Sequence, residues 1–119
     1  MIKVKIFKDE NGFINRFNIL GHADYNVHGD DIVCAAVSIL GHTALRALVD
    51  VCELDENEIS YRVDEKTGYL DVKLLILPED KRIKNTQIVF KTLIVGVNSL
   101  IESYPKYVTL ENRGGVMNA

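Results

Sequence analysis

The sequence predicts one α+β domain, an antiparallel sheet with two long helices packed on one of its faces. Three observations carry this. Two pairs of alternating segments are each broken by turn-forming residues, two longer stretches repeat their apolar residues at helical spacing, and the order along the chain is β-β-α-β-β-α. Hairpins make antiparallel pairs, and amphipathic helices are the natural cover for one face of such a sheet.

Ile2 to Lys8 alternates and ends at Asp9-Glu10-Asn11-Gly12, after which Phe13 to Leu20 alternates again, so the chain opens with a hairpin. From Asp31 to about Cys52 the apolar residues Val33, Val37, Leu40, Ala44, Leu48 and Val51 recur every three or four positions, which predicts a helix. Glu58 to Val63 and Leu70 to Leu77 flank Asp64-Glu65-Lys66-Thr67-Gly68, a second hairpin. After Pro78 the period returns through Ile88, Leu93, Val97, Leu100 and Tyr104, and Pro105 ends the second helix. Tyr107 to Leu110 reads as a short final strand. The domain is therefore expected over residues 1–110, with 111–119 a flexible C-terminal tail carrying Gly114-Gly115.

The 119 residues suffice for one domain, and 47% hydrophobic with 26% charged residues excludes a disordered or low-complexity chain. Lys and Arg number 14 against 17 Asp and Glu, a net charge of −3 with no basic block, so no direct nucleic-acid partner is expected. Met1 leads straight into the charged, alternating Ile2-Lys3-Val4-Lys5-Ile6, where a secretory signal would place an apolar run of about 7 or more residues. The expected location is the cytoplasm, with no membrane contact. His42 and Arg46 interrupt one long apolar stretch, and Lys91 and Asn98 the other. Cys34 and Cys52, eighteen residues apart on one expected helix, are separated by about 27 Å, beyond disulfide reach.

One segment departs from core-and-surface patterning. Gly21 to Cys34 packs two His, three Asp, two Gly and a Cys between a strand end and a helix start, where functional side chains concentrate. Asp30 and Asp31 are the candidate N-caps. With Asp31 as the cap, Cys34 takes the third helical position, where the helix dipole favours a thiolate. A Cys in a first turn is equally a small buried apolar group, so the residue alone leaves both readings open.

A nucleophilic thiol needs an imidazole to take its proton and return it to a leaving amine. His42 lies eight residues further along the same helix, about 12 Å along the axis, too far for that transfer. His28 sits in the intervening loop and reads as a solvated residue. His22 closes the second strand and pairs with Cys34 in the sharper reading, the alternative being a satisfied strand-end histidine. Ser38 shares the Cys34 helix face, where it either hydrogen-bonds near the site or bonds its own i−4 carbonyl. Asp31 either orients an imidazole or simply caps the helix. His22, His28, Cys34 and an Asp could also ligate zinc, but the paired-ligand spacing of zinc sites is absent, and no metal or other cofactor is expected. No nucleotide-binding glycine motif is present.

Gly21-His22-Ala23, then Gly29, then Asp31-Ile32-Val33-Cys34-Ala35-Ala36-Val37-Ser38, resembles the signature of Prp, the ribosomal-processing cysteine protease family. The likeness covers about Ile2 to Tyr104 and includes the element order. It implies a homodimeric cytoplasmic endopeptidase that removes the N-terminal extension of large-subunit ribosomal protein twenty-seven. Carried over by residue, Cys34 is the nucleophile, His22 the general base, and Asp31 and Ser38 support them. Residues 23–30, among them Ala23, Asp24, Tyr25 and Asp30, form a mobile substrate loop hinged at Gly21 and Gly29. The alternative is a non-catalytic, ribosome-associated binding module of the same fold.

Overall fold

A computed structural model describes residues 1–21 and 28–114, with the side chains of 28–31 excepted. Strands β1 (Ile2–Lys8) and β2 (Ile14–Leu20) form the first hairpin, and α1 (His28–Asp50) follows. A single 3-10 turn, Glu56–Glu58, leads to the second hairpin of β3 (Ile59–Asp64) and β4 (Tyr69–Leu74), then α2 (Ile83–Ser103) and β5 (Val108–Gly114). The sheet order is β3-β4-β2-β1-β5.

The α+β class, the β-β-α-β-β-α order and the helix-covered face are as the sequence predicts. The sheet, however, is mixed and not wholly antiparallel: β5 pairs with β1 in parallel, Ile2 opposite Val108. The helix crossover sets this direction. A chain that leaves β4, returns along α2 and re-enters the sheet must run the same way as β4, and β1 shares that direction. The final strand is also longer than expected, and Glu111 to Gly114, assigned above to the tail, are strand residues. The rest of that tail lies outside the described residues.

The pleat sends Ile2, Val4 and Ile6 of β1, Phe17 and Ile19 of β2, and Leu70, Val72 and Leu74 of β4 to one face, all buried. Val33, Val37, Ala44 and Leu48 of α1 and Phe90, Leu93 and Val97 of α2 close over them. Covering the sheet accounts for the buried stripe of the apolar stretch Ile32–Asp50, while Ile32 and Ile39 stay exposed. At the centre Phe17 and Phe90 meet edge-to-face, with centroids 6.0 Å apart. Gly41 lets α1 press onto the sheet, since a Cβ there would stand 2.6 Å from Ile19 Cδ1 and 2.8 Å from Leu70 Cδ2.

Two polar devices fix the remaining elements. The buried Gln87 side chain of α2 accepts from the Ile14 N–H at 2.7 Å and donates to the Ile14 carbonyl at 2.8 Å, satisfying the backbone where β2 begins. Arg82, just before α2, donates to both Glu58 oxygens, to Asp80 and to the Glu53 carbonyl, which ties the 3-10 turn to the helix start. Those contacts raise the Arg82 pKa and hold the Asp80 carboxyl down to about 2.

Candidate active site

The helix that carries Cys34 begins at His28, three residues before the expected cap. Asp30 and Asp31 therefore lie inside its first turn and not at the N-cap, and Cys34 is the seventh helical residue, not the third. An acidic residue suits either place, because carboxylates are favoured throughout the first turn of a helix as well as at its cap. The argument that placed the sulfur among unpaired N–H groups at the helix start does not survive this shift.

What positions Cys34 is the helix face. Val33 and Val37 are fully buried against the sheet, so Cys34, between them in sequence, lies half-buried at the border of the core. Steps of four residues then place Ser38 and His42 on the same side of α1, each about 6 Å further along the axis. All three line a cavity of about 300 Å³. Its floor is apolar, formed by Ile2 of β1, Ile19 of β2 and Leu70 of β4. Its far wall is the β3–β4 turn, with Val63, Asp64, Glu65, Gly68 and Tyr69. Asp64 shapes that turn by accepting from the Lys66 N–H at 3.0 Å and the Thr67 N–H at 3.4 Å.

Gly21 completes the cavity wall at the end of β2. It adopts φ +112°, and a Cβ there would lie 2.5 Å from the Met1 carbonyl oxygen. Only glycine fits both demands, so the chain can turn out of the sheet beside Cys34.

The structure thus brings Gly21, Cys34 and Ser38 together. His22, Ala23, Asp24 and Tyr25 lie outside the described residues, and Gly29, Asp30 and Asp31 are placed by backbone only, in the first turn of α1. His42, too far along the helix to take the thiol's proton, lines the same cavity from the α1 side. The sequence predicts the β3–β4 turn as part of a hairpin but does not place it at this site. Its residues read locally as ordinary turn chemistry, and only the placing of β4 beside β2 carries them to the site. Among the described residues, no three His, Cys, Asp or Glu side chains converge as a metal site.

Comparison with known proteins agrees with this architecture. The chain is 26% identical over 110 residues to the ribosomal processing cysteine protease Prp of Staphylococcus aureus, covering 92% of this chain and 97% of that protein. A Streptococcus mutans protein, SMU.848, superposes with a TM-score of 0.78 at 28% identity, over 96% of this chain and 98% of its own. The S. aureus protease in complex with a substrate peptide superposes at 0.77, with 23% identity over 94% and 99%, and shares the fold. A second crystal structure of it, with a covalently linked product peptide, gives 0.74 at 24% identity over the same shares. The family model for cysteine protease Prp matches residues 1–109, beyond the Tyr104 limit of the sequence resemblance, and the chain belongs to that family of cysteine proteases.

Proposed function

We propose that this protein is the endopeptidase that removes the N-terminal extension of large-subunit ribosomal protein twenty-seven, with Cys34 as nucleophile and His22 as general base. The observation that carries the reading is the half-buried Cys34 on the wall of a largely apolar cavity that Gly21, the residue before His22, also lines. The relatives solved with substrate and product peptides support a peptide as the ligand.

In this mechanism His22 takes the Cys34 proton and the thiolate attacks the scissile carbonyl carbon. The tetrahedral intermediate collapses as the C–N bond breaks, and the imidazolium returns its proton to the leaving amine. Water, deprotonated by His22, then hydrolyses the thioester and regenerates the thiol. Ser38 and Asp31 are the supporting groups in this reading.

The test is incubation with the unprocessed ribosomal protein, read by intact mass for wild type, Cys34→Ala and His22→Ala. One cleavage by wild type, lost in both variants, is the expected result. Binding without cleavage by wild type would make the chain a binding module instead. A homodimer belongs to the same proposal. Ile32 and Ile39 on α1, and Ile88 and Val95 on α2, are exposed apolar pairs two turns apart, suited to cover by a second copy. Sedimentation showing only monomer at micromolar concentration would remove that part. A cytoplasmic location completes the reading and is checked by cell fractionation.

A further inference from the structure

Both helices cover one face of the sheet, and the opposite face carries a charge pattern that the linear sequence disperses. Strand pairing aligns Lys73, Arg16, Phe7 and Arg113 in one row across β4, β2, β1 and β5. The next row on that face holds Arg62, Asp71, Asn18, Lys5 and Glu111. Lys3 and Thr109 follow beyond them. The face thus bears six cations against three carboxylates, Asp64 at the strand end included, a charge of +3. Since the whole chain carries −3, everything else sums to −6.

Two carboxylates are already engaged, Asp71 by Arg16 at 2.7 Å and Glu111 by Arg113 at 2.6 Å. Lys3, Lys5, Arg62 and Lys73 have no carboxylate at ion-pair distance among the described residues. Two guanidinium groups lie near aromatic rings of this face: Arg16 is 4.9 Å from the Phe7 centroid and Arg62 is 5.9 Å from that of Tyr69. Aromatic rings and guanidinium groups on an open sheet are groups against which an unstacked base can lie, while the flanking lysines meet its phosphates.

We infer that this open sheet face is a docking surface for single-stranded RNA. Its charge is complementary to a phosphate backbone and opposed to a second copy of itself, which would place like charges together. Ser60 and Thr109, interleaved with the cations, supply hydroxyls that can hydrogen-bond a ribose 2′-hydroxyl. The expectation of no nucleic-acid partner rests on the net charge of −3 and on the absence of a basic block along the sequence. On a pleated strand, alternate residues suffice to build a basic face.

The test is fluorescence anisotropy of the full chain with a labelled mixed-sequence RNA single strand of about 12 nucleotides, a length within the usual single-strand site range. At low salt the expected result is saturable binding. The slope of log K against log[salt] should be about −2, as three neutralised phosphates at roughly −0.7 each require. Lys3→Glu with Lys73→Glu, both exposed and outside the cavity, should weaken binding at least about tenfold and flatten that slope while leaving the melting transition in place. Phe7→Leu, which keeps the charges, should weaken binding with the slope unchanged. No anisotropy change at tens of micromolar protein would overturn the inference. So would equal binding by the folded double-glutamate variant, or tighter binding of duplex RNA, of single-stranded DNA, of polyglutamate or of phosphatidylserine vesicles.

Discussion

Gly21→Ala perturbs the candidate site while leaving Cys34 and His22 in place, and its cost can be worked from the backbone. At φ +112° an L side chain is strained, and positions of this kind cost about 1–3 kcal/mol. The added Cβ would also stand 2.5 Å from the Met1 carbonyl oxygen and 3.5 Å from Ile2 Cα. Neither neighbour yields as a side chain would. Both are backbone, and Ile2 is tied to the sheet by donating its N–H to the Tyr107 carbonyl at 2.7 Å. Relief must come from rotating the chain as it leaves β2 or from displacing the first residue. For a domain of this size each kcal/mol is about 4 °C of melting temperature, so the variant should melt about 4–12 °C lower. Gly21 also lines the cavity that holds Cys34, so rotation there disturbs the candidate site and kcat/KM should fall further than the unfolded fraction explains. The assays are thermal unfolding by circular dichroism and cleavage of the unprocessed protein by intact mass. A variant that melts within about 2 °C of wild type and cleaves at the same rate would refute the reasoning.

Phe90→Ala removes a fully buried ring and its edge-to-face partner contact with Phe17, which should cost about 3–5 kcal/mol in urea unfolding; a loss under about 1 kcal/mol would mean that the centre of the core is loosely packed. Gln87→Leu leaves the Ile14 N–H and carbonyl without partners, at about 1–3 kcal/mol for each group, and Gln87→Glu, which keeps the acceptor alone, should fall between it and wild type. Asp80 is held at about 2 and Glu58 is also lowered, each chiefly by hydrogen bonds from Arg82. A depressed carboxyl stabilises the fold above its unfolded pKa, here 3.8 and 4.5, and that stabilisation is lost as pH falls toward the folded values. Arg82→Met should therefore narrow the gap between urea midpoints measured at about pH 6 and about pH 2.5, and an unchanged gap would show that the cluster contributes nothing.

The sequence by itself determined the fold class, the two hairpins and the two helices, because the periods of two and 3.6 residues are local properties of a backbone that buries one side. It also singled out Gly21 and Cys34, at the two ends of a segment whose composition folding alone does not require, and Ser38 one turn further on, and the structure gathers those three at one cavity. Local signals were weaker at boundaries. Asp30 and Asp31 suit a first turn as well as a cap, so the sequence predicts α1 to start three residues later than it does and puts Cys34 in a helix-end environment that it does not have. Only the tertiary structure decided the direction of β5, because that depends on which way α2 returns across the sheet. It alone put the β3–β4 turn opposite Cys34, since the order β3-β4-β2 is a long-range pairing with no trace in either hairpin. The same is true of charge. The cations at 3, 5, 16, 62, 73 and 113 never form a run along the chain, and it is strand register that assembles them on one face.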